Sequence, residues 1–151
     1  MKAINCRSIC LGSFQPWDVK KQVKIIKEEL GWEGDVVEGV PPEYDYEKIE
    51  DMLQGVQDYL KFIKRGYGRF SHLASIDIRN RRLTRDKALD MLPKWEGLRP
   101  ASLDTLLTWL DMPEDEFYNI AIRHSVKPWR HNPSMTIKGE PLPDMKEWVI
   151  E

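Results

Sequence analysis

The chain has 151 residues, 41% of them hydrophobic and 32% charged, a composition that supports one globular core and argues against disorder. Its formal net charge is −2, which gives no general electrostatic drive toward nucleic acid or an anionic membrane surface. No apolar run approaches the roughly 18 residues of a membrane span, and MKAINCRSICLGSF is too short and interrupted in its apolar stretch for a secretory leader. A cytoplasmic location is therefore expected. Cys6 and Cys10 lack the second ligand pair of a zinc site and are read as reduced thiols.

In chain order, a weak strand is expected around residues 8–11. A first helix follows, capped by Asp18 and stopped by Gly31, with Val19, Val23, Ile26 and Leu30 on one face. Residues 31–44, GWEGDVVEGVPPEY, form a long Gly/Pro-rich loop. The second helix is capped by Asp45 and carries Ile49, Met52, Leu53, Val56, Leu60 and Ile63 inward. Gly55 lies within it at a cost of about 1 kcal/mol relative to alanine; such a glycine allows close approach of another backbone, or reflects simple drift.

The third helix is expected from Ser71 to about Arg81, although alternation at Ile76 and Ile78 also permits a strand. Thr84 caps a fourth helix, with Ala88, Leu89 and Leu92 inward and Pro93 and Gly97 closing it. Ser102 opens a fifth with Leu103, Leu106, Leu107 and Leu110 inward. Pro113 and Glu114 open a sixth with the stripe Phe117, Ile120 and Ala121. The fold class is thus mainly α: one helical domain of about six helices over residues 1–126, and an extended Pro-rich arm over residues 127–151.

Charge is segregated along the chain. Residues 35–58 hold eight acidic residues and one basic residue, Lys48; residues 61–85 hold eight basic residues and one acidic residue, Asp77. Two solvated faces are one reading; an anion site is the other. Within the basic stretch, KRGYGR breaks two helices with Gly66 and Gly68. Backbone N–H groups at such a break attract anions, and arginine adds a fork suited to phosphate. Lys64 and Arg65 are also explained by the dipole at the end of the second helix; Arg69 is not. Asp77 is expected to order the arginines, with Arg81 at i, i+4 as its partner and Arg79 beside it. His72, His124 and His131 are scattered without metal-ligand spacing, so no metal site is expected, and no nucleophile can be nominated. Residues 84–121 superficially resemble a helix-turn-helix bundle, but the acidic start at Glu114 suits phosphates poorly, and no nucleic-acid partner is expected.

The run from LGSFQPWDVKKQ through KRGYGRFSHLASIDIRNRRLTRDKALDML, residues 11–92, and RPASLDTLLTWLDMPEDEFYNIA, residues 99–121, resemble the C-terminal portion of the N-acetyl sugar amidotransferases of bacterial surface-polysaccharide biosynthesis. The GW, KRGYGR and SIDIR elements carry the likeness. The resemblance implies the C-terminal part of an α/β hydrolase-like nucleotide-binding enzyme of the ATP-pyrophosphatase superfamily. Such an enzyme converts an acetamido group of a nucleotide-linked N-acetyl sugar to an acetamidino group in lipopolysaccharide O-antigen biosynthesis. It uses ATP with Mg, and ammonia from glutaminase and cyclase-like subunits. The family's Ser-Gly-Gly loop lies upstream of the matching region and is not in this sequence, so a missing N-terminal half is a further implied partner. By motif position, Lys64, Arg65, Gly66, Gly68 and Arg69 would face phosphates, with Asp77 and Arg79 in support. Trp32 and Glu33 could shape a sugar pocket. The alternative is a non-catalytic helical interaction module.

Overall fold

The computed structural model describes residues 8–126; the arm expected over residues 127–151, and Cys6, lie outside the described residues. The described residues contain α-helices and short 3-10 turns but no strand, so the weak strand near residue 8 is replaced by extended chain and a turn over Leu11–Ser13. The chain divides into two compact units at the Gly34–Asp35 junction.

The first unit contains helix α1, Val19–Leu30. Asp18 caps it by accepting from the Lys20 N–H, and Gly31, in the left-handed region at φ 65°, ends it. Lys27 reaches over the Trp32 ring, 5.7 Å from its centroid. α1 has no buried residue, and Val19 and Leu30, expected to face inward, are exposed. Cys10 is an exposed free thiol.

The second unit holds α2 (Gln54–Arg65), α3 (Arg69–Arg79), α4 (Arg85–Trp95), α5 (Ser102–Leu110) and α6 (Glu114–Arg123). The second helix starts eight residues later than Asp45 as its cap would place it. The reason is local. Lys48 takes a left-handed conformation at φ 58°, which interrupts a helix, and the Asp51 carboxylate accepts from the Leu53 N–H and the Gln57 side chain, fixing a turn before Gln54. Ile49 and Met52 are consequently exposed. α3 is helical throughout, so the strand alternative at Ile76 and Ile78 is not realised, and it begins at Arg69 rather than Ser71. α4 includes Pro93 in its last turn, where proline leaves one i→i−4 bond unmade, and the helix closes beyond it through Glu96 N–H to the Leu92 carbonyl.

Two apolar cores hold this unit. In one, Val56, Tyr59 and Ile63 of α2 meet Leu103 of α5 and Phe117, Tyr118 and Ala121 of α6. Tyr118 takes the place expected of Ile120, which is exposed; its hydroxyl lies 3.0 Å from that of Tyr59, giving both buried phenols a partner. In the other, Phe70, Leu73 and Ala74 of α3 meet Ala88 of α4 and Val40 and Tyr44 of the preceding loop. Each large side chain so buried contributes about 1.5–3 kcal/mol. Leu110, expected inward, is exposed.

Candidate functional site

The basic segment lies at the junction of α2 and α3. Lys64 and Arg65 close α2 with exposed side chains, where positive charge favours the helix C-terminus. Gly66 ends the helix at φ 77°, a conformation that favours glycine, and the chain beyond α6 adds further closure: the Val126 N–H donates to the Lys64 carbonyl and Ser125 Oγ to the Ile63 carbonyl.

The N-terminus of α3 differs from the open anion cradle that Gly-x-Gly suggests. Gly68 is its N-cap and supplies no side chain. The Glu96 carboxylate fills the position, with Oε2 accepting from the Gly68 N–H and Oε1 from the Ser71 N–H at 2.5 Å. Glu96 is 4% exposed. Burial pushes its carboxyl pKa above the ordinary value, against the pull of these N–H donors and the charge of Lys61. A Cβ on Gly68 would lie 2.7 Å from Glu96 Oε2, so the glycine is required by the approaching carboxylate.

Arg69 is also engaged from within. Its Nε donates to Asp58 Oδ2 at 2.6 Å, Nη2 to Asp58 Oδ1 at 3.3 Å and Nη1 to Glu47 Oε2 at 2.8 Å. Burial alone would lower the guanidinium pKa, but Asp58 and then Glu47 raise it. The acidic and basic runs therefore meet here as a bidentate ion pair with a third arm. The N-terminus of α5 repeats the device: Glu38 accepts from the Ala101 N–H, the Ser102 N–H at 3.3 Å and Ser102 Oγ at 2.5 Å. Gly55 gives Glu38 room, since an added Cβ would strike its carboxylate and lie 2.7 Å from Ser102 Oγ.

These groups surround a cavity of about 170 Å³, with Glu38, Asp58, Arg69, Glu96, Arg99 and Trp95 in its wall. Arg99 is engaged by Glu114 and Asp104, which raise its pKa while it lowers theirs. Of these six, Glu38, Asp58, Glu96, Arg99 and Trp95 are wall residues that sequence reading missed. Glu96 is 28 residues from Gly68 and Glu38 is 63 from Ala101, so no local pattern marks either.

Asp77 and Arg79 are not part of this junction. Ten residues of helix separate Arg79 from Arg69, about 15 Å along the axis. Asp77 is buried and accepts from the Tyr44 hydroxyl at 2.7 Å and from Arg82 Nε at 2.8 Å, so Arg82 takes the role expected of Arg81. Arg81 has left the helix at φ 59°. Arg79 is exposed at the end of α3. Trp32 and Glu33 lie in the other compact unit. Among the described residues, no group of three or more His, Cys, Asp or Glu could hold a metal ion, and no helix is long and apolar enough to cross a membrane.

Residues 38–139 match the family described as LPS biosynthesis protein WbpG-like, C-terminal domain. The chain belongs to this family. The WbpG-like span starts at Glu38 and thus contains every carboxylate and arginine of the cavity wall, whereas α1 precedes it. This places the protein among lipopolysaccharide biosynthesis proteins. Neither the curated proteins nor the solved structures provide a match.

Proposed function

We propose that the chain is the C-terminal part of an ATP-dependent amidotransferase that converts an N-acetyl group of a nucleotide-linked sugar to an acetamidino group in O-antigen biosynthesis. The observation that carries this reading is the WbpG-like match over residues 38–139, added to the KRGYGR and SIDIR elements. At the α2–α3 junction the α3 N-terminus is taken by Glu96, and Arg69 by Asp58 and Glu47, so this junction offers no open cradle to a phosphate. In this reading the nucleotide is held by a separate ATP-binding portion, and ATP supplies the activation of the amide oxygen there. Glutaminase and cyclase-like subunits supply ammonia.

This chain's own part is recognition. Lys64 and Arg65, exposed at the end of α2, offer charge to the diphosphate of the nucleotide sugar. The cavity wall and its ion pairs hold the α2–α3 junction rigid behind them. The reaction sits in the cytoplasm, where nucleotide sugars and ATP are available.

The test is reconstitution. The chain, joined by its ATP-binding portion and ammonia-supplying subunits, is expected to replace the acetamido oxygen of a UDP-linked N-acetyl sugar with nitrogen, read by mass spectrometry and dependent on ATP and ammonia. Absence of product from the complete assembly contradicts the reading.

A further inference from the structure

Helix α6 is packed on one side only. Phe117, Tyr118 and Ala121 enter the core, while Asp115, Glu116, Asn119, Ile120 and Arg123 are exposed. Glu116, Asn119, Ile120 and Arg123 fall at i, i+3, i+4 and i+7, so they form one stripe along the helix. Ile120, in the middle of the stripe, is 41% exposed. Among the described residues, neither the Glu116 carboxylate nor the Arg123 guanidinium has an ionic or hydrogen-bond partner. The helix dipole favours acid at the start of any helix and base at its end, which accounts for the charges. It does not account for an exposed isoleucine between them.

The stripe is complementary to itself when reversed. Laid antiparallel on a second copy at a shallow crossing angle of about 20°, with the Asn119–Ile120 step at the centre, it sets Glu116 opposite Arg123 and Asp115 opposite His124 at both ends. A parallel pairing would set Glu116 on Glu116 and Arg123 on Arg123, and repel. The complementarity continues beyond the helix. α5 ends in Trp109 and Leu110, 60% and 54% exposed, just before the turn into α6. At the far end of α6 the Val126 N–H donates to the Lys64 carbonyl, so the end of α2 stands there. Val126 and Leu60 of that end are 39% and 37% exposed. Reversal carries the apolar α5 end of one copy toward the apolar α2 end of the other.

We propose that the exposed face of α6 is a self-association surface on which two copies of this chain pair across a two-fold axis, with Glu116 of each copy on Arg123 of the other. A two-fold contact needs one patch that complements itself, and this stripe does so in charge and in apolar centre. A pair of ten-residue helices is a small contact, short of the roughly 1,200 Å² of a standard interface, so the dimer is in exchange with monomer. The proposal makes no use of the amidotransferase reading.

The test is analytical ultracentrifugation of the full chain over a concentration series, with circular-dichroism melts to show that each variant is folded. The native chain is expected to pass from monomer to dimer as concentration rises. Glu116→Lys and Arg123→Glu are each expected to weaken the dimer about tenfold, because symmetry places like charges together at both ends. An equimolar mixture of these two variants is expected to recover it: the introduced lysine meets the introduced glutamate at one end, and the native pair survives at the other. Ile120→Asp is expected to abolish self-association. A native chain that stays monomeric at all concentrations overturns the proposal. So does a dimer indifferent to these three substitutions, or one lost in both single variants and not recovered on mixing. Self-association lost in Trp109→Ser but kept through the α6 substitutions places the contact elsewhere and overturns it as well.

Discussion

Two pairs of helix starts in this molecule solve the same problem by different means. α1 and α4 are capped by their own neighbours, Asp18 and Thr84, whose side chains accept from Lys20 and Lys87 N–H groups. α3 and α5 have no side-chain cap of their own and receive a carboxylate from far along the chain, Glu96 and Glu38. The difference is mechanical as well as chemical. A local cap stabilises one helix; a remote cap ties a helix to another segment, so that the α3 start is fixed to the end of α4 and the α5 start to the loop before α2. The remote pair flanks the cavity.

The largest effect that can separate the two kinds of cap is expected at Glu96. Glu96→Ala leaves the Gly68 and Ser71 N–H groups without their acceptor, and should cost about 2–3 kcal/mol in denaturant unfolding, partly offset by relief of a buried charge. A change within 0.5 kcal/mol, the scale of an ordinary surface substitution, would show that the cap does not hold α3. Next comes Gly55→Ala. Helix propensity alone predicts a gain of about 1 kcal/mol, but the added Cβ strikes Glu38 and must displace it from α5. A net loss is therefore expected, and a net gain would show that Glu38 is not fixed there. Thr84→Ala should cost about 1 kcal/mol or less, with a hydrogen bond of 3.4 Å placing it toward the small end. If it equals the Glu96 effect, the distinction between local and remote caps fails.

The smallest expected effect is in the pH dependence. Burial raises the folded-state Glu96 pKa above 4.5, so the folded chain binds this proton more tightly than the unfolded chain. The resulting stabilisation is complete below the unfolded value and is lost as pH rises through the folded one. Glu96→Gln should flatten this part of the stability profile just above pH 4.5. An identical slope in the variant would assign the titration to another group.

The same contrast explains what could be read from the amino-acid sequence. Helix existence was legible except in α3, where alternation at Ile76 and Ile78 left a strand open, because the 3.6-residue pattern and the stops at Gly31 and Gly66 are local. The start of α2 was not, because Asp45 looks like a cap while the left-handed Lys48 and the Asp51 turn decide the boundary. The ion pairing of Arg69 was half legible: an acidic run and a basic run were plain, but their meeting at Asp58 and Glu47 depends on tertiary packing. Glycine carried a signal that could be noticed but not resolved. Gly55 marks close approach, and the approaching group is the Glu38 side chain rather than a backbone.

The central claim is that the α3 N-terminus is filled by Glu96. Amide NMR of Gly68 and Ser71 during a pyrophosphate titration tests it most directly, in the native chain and in Glu96→Gln. The two amides are expected to stay fixed in the native chain and to become responsive only when the carboxylate is gone. A saturable shift of both amides in the native chain would show that the site is open to anions and that Glu96 does not occupy it.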